Sequence, residues 1–179
     1  AHLVPNGPVL DLAAGRGRHT ILFDQLGHAV TAIDKDISLL NSLKNKNIEV
    51  LEADLETNTP IFSKGGLLEG QKFSGIIVVN YLHRPLLRTL LSSLQPKGTL
   101  IYETFSMGNE LFSRPRNPKH LLRPGELVDL VKNKLQIVAF EQGIVNTAIS
   151  MSVKQRIVAI NDLYSCDLNK SNPKPHILF

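Results

Sequence analysis

The sequence predicts one α/β domain in which a mostly parallel sheet of seven strands lies between two layers of helices. Short apolar segments rich in Val, Ile and Leu alternate along the chain with segments whose leucines recur at helical spacing. Parallel strands need long crossover connections, which the intervening helices provide. Because 179 residues suffice for one ordinary domain, we expect the domain to span residues 1–164 and the mostly polar residues 165–179 to form a peripheral tail.

Seven segments are predicted to be buried strands because each is brief, rich in Val, Ile or Leu, and bounded by Gly, Pro, Asn or Asp. They are residues 9–12, 29–33, 48–53, 75–79, 99–102, 135–140 and 156–160. The last two are predicted to form a closing hairpin with the long connection between them.

Helices are predicted between the strands, where apolar residues recur every three or four positions. These positions are Ile21, Leu22 and Leu26; Leu39, Leu40 and Leu43; Leu86, Leu87, Leu90, Leu91 and Leu94; and residues 127–131. The third of these helices is expected to begin at Pro85 and to stop at Pro96. Residues 105–124 are too proline-rich for a helix and too long for a simple turn, so they form either a functional loop or a mobile one.

The composition excludes a disordered chain and a membrane span. The chain is 42% hydrophobic and 20% charged with a mean hydropathy of -0.01, and no apolar run approaches the roughly 20 residues that cross a bilayer. With 20 basic and 16 acidic residues, the charge balance is too even to predict nucleic-acid binding. We expect a cytoplasmic protein, since residues 1–8 lack a secretory leader pattern and the single cysteine, Cys166, cannot form an internal disulfide.

A glycine-containing turn joins the first strand to the first helix. Gly15 and Gly17 follow the apolar strand directly, and His19 and Thr20 already belong to the predicted helix. Glycine adopts unusual backbone dihedrals and lets a ligand come close to the backbone. Such a turn is typical of several nucleotide-binding sheets and does not by itself identify the nucleotide.

Asp11 lies within a strand that is predicted to be buried. A buried carboxylate is costly unless a cation or hydrogen-bond donors compensate it. A ligand ammonium group could supply that compensation, whereas a pyrophosphate near the same turn would be repelled. The alternative is that backbone amides of the glycine turn donate to Asp11, and the two roles can coexist.

Two further carboxylates end the second and third strands. Asp34 lies nineteen positions after Gly15, where acidic residues of nucleotide sites accept both ribose hydroxyls; the alternative, a helix N-cap, is equally open to Asp36. Asp54 could accept a hydrogen bond from an adenine amine or could cap its own loop. Because the carboxyl ends of adjacent parallel strands share one edge, we expect Asp11, Asp34 and Asp54 to line a common cleft.

This order of residues resembles the class I S-adenosylmethionine-dependent methyltransferases over about residues 9–160. The resemblance rests on the following features in chain order: an apolar strand with Asp11, then Gly15-x-Gly17, Asp34, Asp54, a fourth strand followed by Asn80-Tyr81-Leu82-His83, and the segment Leu94-Gln95-Pro96-Lys97-Gly98-Thr99-Leu100. The resemblance implies a Rossmann-like methyltransferase fold with the last strand antiparallel, S-adenosyl-L-methionine as cofactor, and in-line methyl transfer to a small-molecule acceptor. Residues 102–105 and 116–127 are similar to small methyltransferases of the tellurite-resistance type.

The resemblance also implies which residues contact the cofactor. The glycine turn would lie against the methionine part, Asp34 would hold the ribose, and Asp54 and Leu55 would contact the adenine. The full set of cofactor residues implied in this way is Asp11, Ala13, Gly15, Gly17, Asp34, Lys35, Asp54, Leu55, Asn80 and Tyr81.

Candidate catalytic residues follow the fourth strand. A sulfonium methyl is already electrophilic, so the protein need only place an acceptor lone pair in line behind it. His83 is the candidate base because an imidazole titrates near neutral pH; the alternatives are that it caps the Pro85 helix or faces solvent. Tyr81 either lines the methyl-transfer pocket or packs beside the sheet.

A basic cluster after the fifth strand supplies the candidate substrate-binding residues. Arg114, Arg116 and Lys119, together with His120 and Arg123, could bind a carboxylate or phosphate of the acceptor. The alternative is a solvated loop. The cluster lacks interleaved aromatic residues that would stack on bases, which leaves nucleic-acid binding open but unsupported.

The chain departs from the family pattern in two places. It begins almost directly at the first strand, whereas the family usually has N-terminal helices that cover the cofactor, so we expect part of this lid to be absent. The loop Asn80-Tyr81-Leu82-His83 differs from the Asn-Pro-Pro-aromatic loop of many enzymes that methylate amino groups of nucleic acids, which disfavours DNA adenine or cytosine as acceptor.

Two rival functions use the same features. A dinucleotide oxidoreductase is disfavoured because Thr20 stands where the GxGxxG pattern requires a third small residue, and because Asp11 would repel a pyrophosphate. A non-catalytic S-adenosylmethionine-binding protein is the rival from another class. No spacing of His, Cys and Asp predicts a metal site.

Overall fold

The computed structural model describes residues 1–57, 60–147 and 150–162. They contain one seven-stranded sheet of β1 (Val9–Leu12), β2 (Val30–Asp34), β3 (Ile48–Glu52), β4 (Phe73–Val79), β5 (Leu94–Phe105), β6 (Gln136–Thr147) and β7 (Ser150–Ile160). The spatial order is β3-β2-β1-β4-β5-β7-β6. Strands β1 to β5 are parallel, and β7 is antiparallel to both of its neighbours. The predicted α/β fold with a mostly parallel sheet and an antiparallel last strand is confirmed.

In the described part of the chain, three α-helices cover the two faces of the sheet: α1 (Arg18–Gln25), α2 (Leu87–Ser92) and α3 (Glu126–Val131). Successive residues of a strand point to opposite faces, and each face of this sheet has its own apolar cluster. Phe23 of α1 packs in one cluster, while Leu90 of α2 and Leu127 of α3 pack in the other. All four residues of β1 are buried, as expected for a strand covered on both faces.

Short 3-10 turns complete the described secondary structure, at Asn41–Leu43, Arg84–Leu86, Asn109–Leu111 and Pro118–His120. The helix predicted around Leu40 is wrong, because only one 3-10 turn forms there. Leu40 is fully buried, but the neighbouring Leu39 is 55% exposed, so the segment has no apolar stripe broad enough to dock a full helix.

The predicted end of the third helix is also wrong. The helix α2 ends at Ser92, and Leu94 already begins β5, where it pairs with Phe73 of β4. Pro96 therefore lies inside the strand range rather than stopping a helix. Leu94 has the spacing of a helical residue because its side chain packs in the same apolar cluster as the α2 leucines, but it reaches that cluster from the sheet.

The closing hairpin is longer than predicted. Strands β6 and β7 pair from Gln136 opposite Ile160 to Thr147 opposite Ser150, so residues expected to form a long connection belong to the ladder. The pairing of β7 with β5 ends at Phe105 opposite Lys154, and beyond it the hairpin extends past the sheet. Most β6 side chains are exposed, which explains why no alternating apolar pattern marked this part of the strand.

The proline-rich segment between β5 and α3 is tied to the sheet. Ser106 forms a bridge with Leu122, and the Asn109 side chain accepts a hydrogen bond from Val153 N–H at 3.1 Å. The expected tail, residues 165–179 with Cys166, lies outside the described residues. Within the described part of the chain, no helix combines the length and apolar character needed to cross a bilayer.

Candidate cofactor and acceptor site

A cavity of about 310 Å³ lies at the carboxyl ends of the first strands. The cavity lies beside β1, whose neighbours in the sheet are β2 on one side and β4 on the other. The strand order reverses direction at this point, and ligands of open α/β sheets bind at such switch points. Its walls are formed by Ala13, Asp34, Lys35, Ala53, Asp54, Leu55, Glu56 and Tyr81. The structure therefore brings together six of the ten cofactor residues that the resemblance implies, from four separate segments.

Asp34 connects the glycine turn to the end of β2. The Gly15 N–H donates to Asp34 Oδ2 at 2.8 Å, and the Asp36 N–H donates to Asp34 Oδ1 at 3.1 Å. A carboxylate oxygen has two lone-pair directions, so both oxygens can still accept hydrogen bonds from a ligand. Asp36 accepts instead from the Ser38 N–H at 3.0 Å and does not line the cavity.

Asp11 is 2% exposed and lies beneath the turn rather than on the cavity wall. Its donor is the Thr20 hydroxyl, 2.6 Å from Asp11 Oδ2. The amides of the glycine turn are used elsewhere, since the Gly15 N–H donates to Asp34 and the Gly17 N–H donates to the Ala14 carbonyl. The common cleft expected for three carboxylates thus contains Asp34 and Asp54, while Asp11 contacts α1. Thr20, which sequence reasoning treated as a source of crowding, is the residue that satisfies Asp11.

We predict that Asp11→Asn changes the pH dependence of stability. Burial raises the pKa of Asp11, and the Thr20 hydrogen bond opposes this only in part, so the folded state binds a proton more readily than the unfolded state. Stability from this residue is therefore greatest at low pH and falls as the pH rises through the folded pKa. Asparagine keeps an acceptor for Thr20 and has no charge to bury.

Thermal unfolding of both proteins from about pH 4 to about pH 8 measures this effect. The stability of Asp11→Asn relative to the original chain is expected to increase as the pH rises. A difference that does not change with pH would contradict the assignment.

The two glycines of the turn have different surroundings. Gly15 and Gly17 both have left-handed backbones, with φ of 56° and 74°. A β-carbon on Gly17 would lie 2.4 Å from Leu43 Cδ1 and 2.9 Å from Leu40 Cδ2, whereas a β-carbon on Gly15 would meet no atom within 4 Å. A side chain at Gly17 would have to displace the ends of these two leucines, whereas Gly15 leaves open space beside the turn. Ala13 also has a positive φ of 56°, a conformation that costs a non-glycine residue about 1–2 kcal/mol.

Tyr81 forms the wall between the first cavity and a second one. Its hydroxyl oxygen is buried and has no hydrogen-bond partner among the described residues, while its carbonyl accepts from the Tyr102 hydroxyl at 2.9 Å. Burial and the negative charges of Glu56, Asp54 and Asp34 raise the pKa of Tyr81 well above its usual range. The hydroxyl is therefore protonated at neutral pH, and its hydrogen-bonding capacity is not used by the described residues.

The second cavity, of about 210 Å³, shares Glu56 and Tyr81 with the first. Its other polar side chains are Asn80, Thr104 and His120, and its apolar walls are Leu82, Phe105 and Pro115. The carboxyl ends of β4 and β5 and the proline-rich segment form it together.

The remaining candidates lie elsewhere. His83 precedes the Arg84–Leu86 turn without capping it and lines neither cavity; Arg114, Arg116 and Lys119 are exposed and also line neither. His120, which the sequence placed in the same basic cluster, does line the second cavity. Sequence reasoning missed Glu56, Thr104 and Phe105, although the ends of the third and fifth strands pointed to them. Across residues 1–57, 60–147 and 150–162, no group of three or more His, Cys, Asp or Glu side chains is placed to hold a metal ion.

Comparison with known proteins gives structural matches only. No protein-family model and no curated protein matches the sequence. Among solved structures, TehB from Haemophilus influenzae is 17% identical with a TM-score of 0.71, and the match covers 90% of this chain and 60% of TehB. A SAM-dependent methyltransferase from Methanosarcina mazei is 16% identical with a TM-score of 0.66, covering 90% of this chain and 96% of the other.

A third similar structure contains a ligand of the cofactor type. It is the 1,6-didemethyltoxoflavin-N1-methyltransferase from Burkholderia thailandensis, solved with 1,6-didemethyltoxoflavin and S-adenosylhomocysteine. It is 20% identical with a TM-score of 0.66, and the match covers 90% of this chain and 73% of that one. The present chain therefore has the fold of the S-adenosylmethionine-dependent methyltransferases.

Proposed function

We propose that this protein is an S-adenosylmethionine-dependent methyltransferase that acts on a small-molecule acceptor. The observation that carries the proposal is the first cavity, where Asp34 is hydrogen-bonded to the glycine turn and faces a wall containing Asp54 and Leu55. Its volume of about 310 Å³ is at the lower end of the range of ligand pockets, about 300–1,000 Å³. The single cysteine in the sequence is compatible with the cytoplasm as the setting we propose.

The residues present fit the cofactor in three respects. Asp34 has lone pairs left to accept ribose hydroxyls, as acidic residues at this strand end do in nucleotide sites. Asp54 would contact the edge of the adenine, and the buried Leu55 would contact its face. Gly15 leaves space for the methionine part because no side chain extends from the turn at that point.

When bound, S-adenosylmethionine supplies an electrophilic methyl group on a sulfonium. The contribution of this chain is to bind and orient the reactants, which is an effect of proximity and alignment. The carboxylates of Asp34 and Asp54 favour a cationic ligand through their charge. Tyr81, between the two cavities, would donate a hydrogen bond at the junction where the reactants meet.

Calorimetric titration with S-adenosylmethionine, S-adenosylhomocysteine and NAD tests the cofactor class. We expect binding of the first two ligands and none of NAD. Measurable affinity for NAD alone would instead support the oxidoreductase. Formation of S-adenosylhomocysteine during incubation with a panel of acceptors then separates an enzyme from a binding protein, since a non-catalytic protein would bind the cofactor without turnover.

A further inference from the structure

We propose that the second cavity receives the methyl acceptor and selects a small aromatic or heteroaromatic nitrogen base, uncharged or cationic, over an anionic acceptor. This inference rests on the proposed methyltransferase function. Its starting point is the shared wall, because Tyr81 and Glu56 border both cavities. A molecule in the second cavity would therefore lie next to a ligand in the first.

The charges around the second cavity disfavour an anion. Among its described lining residues, Glu56 is the only Asp, Glu, Lys or Arg, and His120 is the only histidine. Asp54 and Asp34, in the wall of the first cavity, add negative charge on the other side of Tyr81, and after burial and Glu56 they contribute to its raised pKa. An anionic acceptor would face repulsion from these carboxylates, whereas a cation would be attracted.

Lys154 and Arg156, which lie near the second cavity, already have partners. Lys154 contacts the Glu103 carboxylate, donates to Asn80 Oδ1 at 2.9 Å and lies 5.0 Å from the centre of the Phe105 ring. Arg156 also pairs with Glu103, at 2.7 Å. Arg156 also pairs with Glu141, at 3.3 Å, so two carboxylates balance these two cations. The exposed arginines and lysine of the basic cluster, which the sequence suggested for an anionic substrate, do not reach the cavity.

The cavity is small and its walls are held in place. Arg84 donates to the carbonyls of Lys119 and Leu121, each at 2.8 Å, and so binds the backbone on both sides of His120. Arg84 is itself fixed by Glu126, with Nε and Oε1 2.7 Å apart. Burial alone would raise the pKa of Glu126, but hydrogen bonds from Arg84 and Arg123 keep it below its ordinary range, so the ion pair persists at neutral pH.

The small volume and the mixed polarity of the second cavity favour a small ring with a basic nitrogen. Leu82, Phe105 and Pro115 supply apolar contacts, and Glu56 supplies a hydrogen-bond acceptor where the two cavities meet. A nitrogen that arrives protonated first loses that proton to solvent, which frees its lone pair. The lone pair then forms the new N–C bond while the S–C bond breaks, and the electrons of the broken bond stay on sulfur as a neutral thioether. The positive charge moves to the nitrogen beside Glu56, and a nitrogen that still carries hydrogen then releases a proton to solvent.

Benzylamine and benzoate are matched probes of this selectivity, since they are similar in size and opposite in charge. The protein is first saturated with S-adenosylhomocysteine, and binding of each probe is then measured by ligand-observed nuclear magnetic resonance. We expect benzylamine to bind about tenfold more tightly than benzoate. Glu56→Gln should reduce this preference several-fold, whereas the control Glu52→Gln, an exposed acid at the end of β3 that lines neither cavity, should leave it unchanged.

The outcomes separate the two proposals. Failure of S-adenosylhomocysteine to bind would overturn the proposed function. If it binds and benzoate binds as well as benzylamine, if neither probe binds, or if Glu56→Gln behaves like Glu52→Gln, the assignment of the second cavity is overturned while the cofactor site stands.

Discussion

Asp34→Ala is expected to weaken binding of S-adenosylhomocysteine by about 1–3 kcal/mol, which corresponds to about 5- to 150-fold in the dissociation constant. The substitution removes the charge-assisted hydrogen bonds proposed for the ribose. It also removes the acceptor of the Gly15 N–H, which lies 2.8 Å from Asp34 Oδ2 and keeps the turn against β2. Calorimetric titration of the variant and the original chain measures the loss.

Asp36→Ala provides the matched control. Asp36 is an exposed acid two positions away that accepts from the Ser38 N–H and lies outside the cavity wall. Its removal changes the local charge by the same amount as the removal of Asp34. We expect its dissociation constant to equal that of the original chain, and similar losses in both variants would show that the effect comes from general charge rather than from the ribose contact.

Gly17→Ala is expected to lower the free energy of unfolding by about 2–5 kcal/mol, the sum of a backbone cost and a packing cost. The left-handed backbone at φ 74° costs a residue with a β-carbon about 1–2 kcal/mol. The new methyl would also overlap Leu43 Cδ1 at 2.4 Å and Leu40 Cδ2 at 2.9 Å, and forcing extra volume into a packed site costs about 1–3 kcal/mol. Urea unfolding followed by circular dichroism measures the change.

Gly15→Ala is expected to affect ligand binding more than stability, and it tests whether the two glycines of the turn have different roles. Its backbone is also left-handed, at φ 56°, but the added methyl would meet no atom within 4 Å. We expect a smaller loss of stability, about 1–2 kcal/mol, combined with weaker S-adenosylhomocysteine binding because the methyl occupies the space left for the ligand. Equal destabilisation by the two substitutions would contradict this distinction.

The carboxylates show where sequence reasoning succeeded and where it did not. Asp34 and Asp54 were expected at one edge of the sheet because both end parallel strands, and both line the first cavity. Asp11 was correctly predicted to need compensation, but its donor was not foreseen. The Thr20 hydroxyl reaches it from α1, and the angle at which a helix packs on a sheet is not encoded in the spacing of these two residues.

The sequence by itself determined the α/β fold and the mostly parallel sheet with an antiparallel last strand, and it predicted the edge of the sheet where a ligand would bind. These properties depend on periodicity and on turn residues, which are local. Only the tertiary structure decided that His120 rather than His83 lines the second cavity, because Arg84 binds the carbonyls on either side of His120 from 35 and 37 residues away. It also decided the length of the β6–β7 hairpin, whose exposed side chains left no apolar pattern. Contacts between distant segments depend on packing geometry, and packing is settled only when the whole chain has folded.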